Sequence, residues 1–96
     1  MTLTRKQIVF LRGKSHPLSP VVSVGNAGLS DAVMAEIEIA LTHHELIKIK
    51  LGVDDRDLRK KMCSEISTRT NSNVVQQIGK IAVFYRASDK SRITLP

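Results

Sequence analysis

A chain of 96 residues, 42% of them hydrophobic, suits one domain with one modest core and argues against general disorder. Fifteen lysines and arginines against nine acids give a formal charge of +6, and the only aromatics, Phe10, Phe84 and Tyr85, are too few for an RNA module that stacks bases on an aromatic sheet. The single Cys63 excludes an internal disulfide, no apolar run approaches the roughly 20 residues of a bilayer span, and the apolar block at 8–11 is too short for a secretion signal, so a soluble cytoplasmic protein with no membrane partner is expected.

The charge is segregated. Residues 1–30 carry Arg5, Lys6, Arg12 and Lys14 and no acid, whereas residues 31–45 carry Asp31, Glu36, Glu38 and Glu45 and no lysine or arginine. Residues 46–96 return to an excess of base, eleven against five. Charge gathered on one side of a small protein steers polyanions toward it, which makes nucleic acid the first candidate partner.

In chain order, Thr4 is a plausible cap for a helix over 4–14, with Leu3, Gln7, Phe10 and Leu11 toward a core and Arg5, Val9 and Arg12 on the opposite side. Ser15-His16-Pro17-Leu18-Ser19-Pro20 is an extended connector, because two prolines three positions apart forbid regular helix. A short buried strand over 21–24 follows, then the turn Gly25-Asn26-Ala27-Gly28. Ser30 next caps a helix over 31–44. In that helix Leu29, Val33, Ile37 and Leu41 form the apolar line, joined by Met34, Ala40 and His44. Asp31, Glu38 and Glu45 recur every seven residues as an acidic stripe.

Ile47, Ile49 and Leu51 alternate with Lys48 and Lys50 in a strand over 46–51, both lysines on its outer face. Asp54 or Asp55 then caps a helix over 56–70 with Leu58, Met62 and Ile66 as its apolar line. Arg59 falls inside that sector by phase, so either it snorkels along the core edge or the helix is rotated slightly. A hairpin over 74–86 turns at Gly79-Lys80, where glycine in the first central position suits a type II′ turn. Ile93-Thr94-Leu95 could add an edge strand. The order α-β-α-β-α-β-β predicts one compact α/β domain with a four-stranded mixed sheet, its first two strands parallel across a right-handed crossover.

Catalytic equipment is sparse. His43 and His44 point about 100° apart on a helix and cannot jointly hold one metal, and Cys63 lies in an apolar helical sector that favours packing over nucleophilic chemistry. No metal, cofactor or small-molecule substrate is expected. The Gly25–Gly28 turn lacks the spacing and lysine of a Walker loop and the third glycine of a dinucleotide fingerprint. Placed between a strand and a helix start, it is instead a plausible cradle for the phosphates of a nucleic-acid backbone.

The combination His16-Pro17-Leu18, Pro20-Val21-Val22, Gly25-x-x-Gly28-Leu29, Glu36-Ile37, His44-Glu45-Leu46-Ile47-Lys48, Ile78-Gly79-Lys80 and Tyr85-Arg86 closely resembles the bacterial YhbY family of stand-alone CRM (chloroplast RNA splicing and ribosome maturation) domain proteins over residues 3–95. The resemblance implies a fold similar to the C-terminal domain of bacterial translation initiation factor three. It also implies an RNA-binding protein, not an enzyme, that associates with ribosomal RNA in precursors of the large ribosomal subunit and assists their assembly. Carried over by motif, Gly25, Asn26, Ala27 and Gly28 form the RNA-contacting loop. Asn26 stands where many family members have a basic residue, which shifts the charge onto neighbours: Arg5, Arg12, Lys14, Lys48 and Lys50. The rival reading is an adaptor that docks ribosomal proteins through the acidic stripe of Asp31, Glu38 and Glu45.

Overall fold

Every helix begins at a short polar side chain that accepts amide protons the first turn cannot pair internally. The computed structural model, which describes residues 2–90 and 92–96, opens α1 (Arg5–Ser15) with a reciprocal capping box. Thr4 Oγ1 accepts from the Gln7 amide at 3.1 Å, and Gln7 Oε1 accepts from the Thr4 amide at 2.9 Å. Ser30 caps α2 (Asp31–His44) through the Val33 amide. Asp55, and not Asp54, caps α3 (Arg56–Thr70) through the amides of Asp57 and Leu58.

Four strands, β1 (Val22–Val24), β2 (Leu46–Leu51), β3 (Asn73–Ile78) and β4 (Ile81–Tyr85), form one mixed sheet in the order β1-β2-β4-β3. The parallel β1–β2 pair sets Ser23 beside Lys50, and β4 runs antiparallel to both β2 and β3. The elements match the predicted order, with shifts of one residue. Thr4 is a cap and not helix, Val21 precedes β1, and the hairpin covers 73–85. Gly79 carries the positive φ of 55° that a type II′ turn needs at its first central position, while Lys80 does not have a positive φ.

The alternation of β2 divides the core in two. Ile47, Ile49 and Leu51 face α2 and α3, where they pack with Phe84, Ile37, Leu41 and Ile66. Leu46 faces the other way and joins Val75, Val83 and Tyr85 under Leu11 of α1. Lys48 and Lys50 share that second face by the two-residue period of the strand, but α1 covers only part of it. Lys48 is half-buried and Lys50 exposed.

A bulge between Val74 and Gln76 takes Val75 out of the β3–β4 register. The Val75 side chain is buried under α1, and its carbonyl accepts from Arg12 Nε at 3.2 Å. Ile93 and Leu95 do not form an edge strand; they pack as side chains against the α1 cluster.

The C-terminal segment is tied down by Glu45. This residue ends α2 at φ 64° and is fully buried, a conformation that costs a non-glycine residue on the order of 1–3 kcal/mol unless its surroundings hold it. Its carboxylate accepts from the amides of Ser88 and Ile93, each at 2.9 Å, and from the Ser88 hydroxyl. Burial raises the Glu45 pKa, but these bonds outweigh it and leave the carboxyl below its ordinary range. The predicted acidic stripe therefore loses its third member. Glu45 is internal, while Asp31 and Glu38 stay exposed, Glu38 paired with Arg86 and Asp31 3.8 Å from Arg69.

Two side chains depart from the predicted helix faces. His44 is exposed, because the buried line of α2 ends at Leu41 and the chain turns inward through Glu45. Leu58 is 41% exposed. At the start of α3 it is Arg59 that folds over the preceding loop, donating to the carbonyls of Val53 and Asp54 at 2.8 and 2.9 Å.

Candidate nucleic-acid interface

The backbone turns sharply after Val24. The Gly28 amide donates to the Gly25 carbonyl at 3.0 Å, and the Ser30 amide to the Gly28 carbonyl at 3.1 Å, which delivers the chain to the cap of α2. Gly28 adopts φ 78°, where a side chain would be strained. Gly25 differs: its φ is ordinary, and a Cβ built on it would meet no heavy atom within 4 Å. Neither conformation nor internal packing requires glycine at position 25.

Asn26 and Ala27 occupy the exposed tip between the glycines. Among the described residues, Asn26 makes no hydrogen bond, so its amide is free to donate or accept. The parallel register then sets the nearest charge. Lys50 pairs with Ser23, two residues before Gly25, or about 7 Å along the strand. Lys48 is two residues further back on the same face, beside Ser15, His16, Gln76 and Ile81 in a depression at the C-terminal end of α1. Among the described residues neither lysine has an ion-pair partner.

The remaining predicted bases divide. Arg12 is drawn across the sheet by the Val75 carbonyl, and Lys14 Nζ sits 5.7 Å from the Phe10 ring centroid. Both are exposed on the half of α1 that ends over the Lys48 depression. Arg5 is ten residues before Ser15, about 15 Å along the helix axis. Its end of α1 contacts the C-terminal segment, with Gln7 Nε2 donating to the Pro96 carbonyl. The structure thus brings Lys48, Lys50 and the end of α1 to one sheet face near the glycine turn and leaves Arg5 apart.

Arg56, Arg59 and Lys60 lie elsewhere. They line a cleft of about 610 Å³ against Gln77 and Gly79 of the hairpin, on the α2–α3 side of the sheet. Periodicity flagged Arg59 as out of place but could not say that two loop carbonyls bind it.

No cluster of three or more histidines, cysteines or carboxylates able to hold a metal occurs among the described residues. His43 and His44 have ring centroids 6.4 Å apart and are both exposed. Cys63 is buried, and desolvation pushes its thiol up to about 11, which keeps it protonated and unreactive at neutral pH. No helix among the described residues is long and apolar enough to cross a membrane.

A strand, an open two-glycine turn and a helix start thus stand beside Lys48 and Lys50, which have no ion-pair partner among the described residues. Residues 3–86 match the CRS1 / YhbY (CRM) domain, and the chain belongs to that family. It is 47% identical over 95 residues to an RNA-binding protein of Haemophilus influenzae, covering 99% of this chain and 96% of that one. A protein of Bacillus subtilis named as the probable RNA-binding protein YqeI is 35% identical over 95 residues, covering 98% and 99% of the two chains. The solution structure of a Staphylococcus aureus hypothetical protein, described as a candidate RNA-binding protein, superposes with a TM-score of 0.86 at 33% identity and covers 99% of this chain and 100% of that one. The names of the family and of these relatives point to RNA binding and not to an enzyme.

Proposed function

We propose that this protein binds RNA by its backbone and assists assembly of the large ribosomal subunit, with Gly25, Asn26, Ala27 and Gly28 as the loop that meets the strand. The observation that carries this reading is Gly25, an exposed glycine that the fold itself does not require. An outside partner that must approach the backbone closely supplies the missing reason.

Lys48 and Lys50 extend the contact along the open sheet face, and Arg12 and Lys14 continue it onto the end of α1. Arg5 adds charge at a distance and no contact to the loop. Such contacts position RNA without reading bases, and recognition then rests on RNA shape or single-stranded features. Ribosomal RNA in precursors of the large subunit is the proposed target, in the cytoplasm and with no cofactor. The names of the relatives support RNA; the ribosomal assignment rests on the family resemblance.

The test is crosslinking in cells followed by mapping of the crosslinked RNA. Sites concentrated on precursor large-subunit RNA, and lost in a Lys48→Gln/Lys50→Gln variant, are expected. Crosslinks spread over messenger and transfer RNA without enrichment would remove the ribosomal assignment, and their absence would remove RNA binding.

A further inference from the structure

The lysine face and the α3–hairpin cleft lie on opposite sides of one sheet. Lys48 and Lys50 share the α1 side with Leu46. Gln77, in the cleft, pairs with Ala82, whose side chain is in the α2–α3 core. Both surfaces nonetheless open at the same end of the sheet. β1 runs into the glycine turn there, and β2 ends beside it, with the Gly52 amide donating to the Val24 carbonyl at 2.7 Å. The β3–β4 turn is at that end too, since the Leu51 amide donates to the Lys80 carbonyl at 2.6 Å. In the order β1-β2-β4-β3, glycine turn and hairpin are two to three strand spacings apart, about 10–14 Å.

The cleft is lined by three cations, Arg56, Arg59 and Lys60, against one carboxylate, Asp57. Among the described residues the side chains of Arg56 and Lys60 have no hydrogen-bond or ion-pair partner, whereas nearby Lys80 is committed to Asp54 at 2.9 Å. Arg59 is oriented by hydrogen bonds to the Val53 and Asp54 carbonyls, with the exposed Asp54 carboxylate also near enough to feel its charge, and its shielded Nε–H has no acceptor. Gln77 supplies an amide on the opposite wall, and Gly79, at φ 55° with open space where a Cβ would be, leaves the hairpin backbone approachable. A net excess of positive charge in a walled cleft fits an anion with several acceptor oxygens.

We propose that this cleft is a second RNA-backbone site, so that the protein holds two separate segments of RNA, one on each side of the sheet. The inference rests on the RNA reading above and deepens it. A strand seated at the glycine turn reaches the cleft only by passing around the end of the sheet. A short oligonucleotide fills one surface; a longer or folded RNA fills both.

The experiment compares an Arg56→Gln/Lys60→Gln variant with the wild type, after circular dichroism shows both folded, on single-stranded RNAs of about 5 and about 16 nucleotides. Binding is measured by fluorescence anisotropy over a salt series. For the longer RNA, removing two phosphate contacts lowers the log–log salt slope by about 1.4. Binding of the shorter RNA at the lysine face is unchanged. The Lys48→Gln/Lys50→Gln variant weakens both, so failure of the primary reading is distinguishable: wild type would then bind neither RNA, and both proposals would fall.

An unchanged slope for the longer RNA in the Arg56→Gln/Lys60→Gln variant overturns the second site. Amide shifts of Gln77 and Gly79 on adding adenosine monophosphate, with that slope still unchanged, reassign the cleft to a free phosphate compound and overturn it equally. The same shifts with polyglutamate but not with RNA reassign it to an acidic protein segment.

Discussion

The two glycines of the exposed turn separate a structural requirement from a functional one. At Gly28 the φ of 78° makes alanine cost about 1–2 kcal/mol from the clash of Cβ with the backbone. At roughly 4–8 °C per kcal/mol for a domain of this size, Gly28→Ala melts about 4–16 °C lower. Gly25 has ordinary φ and empty space where its Cβ would lie, so Gly25→Ala and Gly25→Asp stay within about 0.5 kcal/mol of wild type. Binding reverses the ranking. An aspartate about 4 Å from a phosphate costs about 1 kcal/mol even in bulk water and more near a protein surface, a fivefold or greater loss of affinity. Thermal denaturation followed by circular dichroism and anisotropy with single-stranded RNA at fixed salt measure the two effects. A Gly25→Asp protein that melts and binds like wild type removes the loop from the interface. A Gly25→Ala protein that melts many degrees lower shows that position 25 has an internal role which the geometry lacks.

Further expectations concern the buried titratable groups and the lysine face. The ionised Glu45 carboxyl, held below its ordinary value of 4.5, stabilises the fold at neutral pH, and that stabilisation is lost as pH falls below 4.5 through the lower native value. Glu45→Gln lowers stability at pH 7 and speeds amide exchange at Ser88 and Ile93; a gap from wild type that stays constant from neutral pH down to about 3 refutes the linkage. Cys63, with its thiol raised from 9.0 to about 11 by burial, contributes stability that is complete below pH 9 and lost as pH rises toward 11. It should resist alkylation in the native protein at pH 8 and react after unfolding in urea, and equal rates in both states would contradict its burial. Single Lys50→Gln and Arg5→Gln variants should differ, Lys50→Gln lowering the salt slope by about 0.7 and Arg5→Gln by much less; equal losses would place Arg5 at the contact.

Local chemistry made most of the architecture legible in advance. Thr4, Ser30 and the aspartate pair before Arg56 mark helix starts because short acceptors satisfy first-turn amides. The alternation in 46–51 marks a strand with lysines on one face because side chains there have a period of two. The hairpin was legible from Gly79 for the same kind of reason: one backbone dihedral demanded it.

Relations between distant residues were not legible. Glu45 looks like the third member of an acidic stripe until its helix ends at a positive φ and turns the carboxylate onto Ser88 and Ile93, more than forty positions away. Arg59 reads as a misfit in an apolar sector until the loop carbonyls of Val53 and Asp54 are seen to bind it.

The sequence by itself determined the order of elements, the strand–glycine turn–helix junction and the excess of positive charge, since each depends on residues within a few positions of one another. Only the tertiary structure decided which charges act together. Strand register put Lys50 beside Ser23, the sheet separated Lys48 and Lys50 from Arg56 and Lys60, and the packing of α1 against the C-terminal segment left Arg5 outside. Charge adds through space, and only the pairing of distant strands sets those distances.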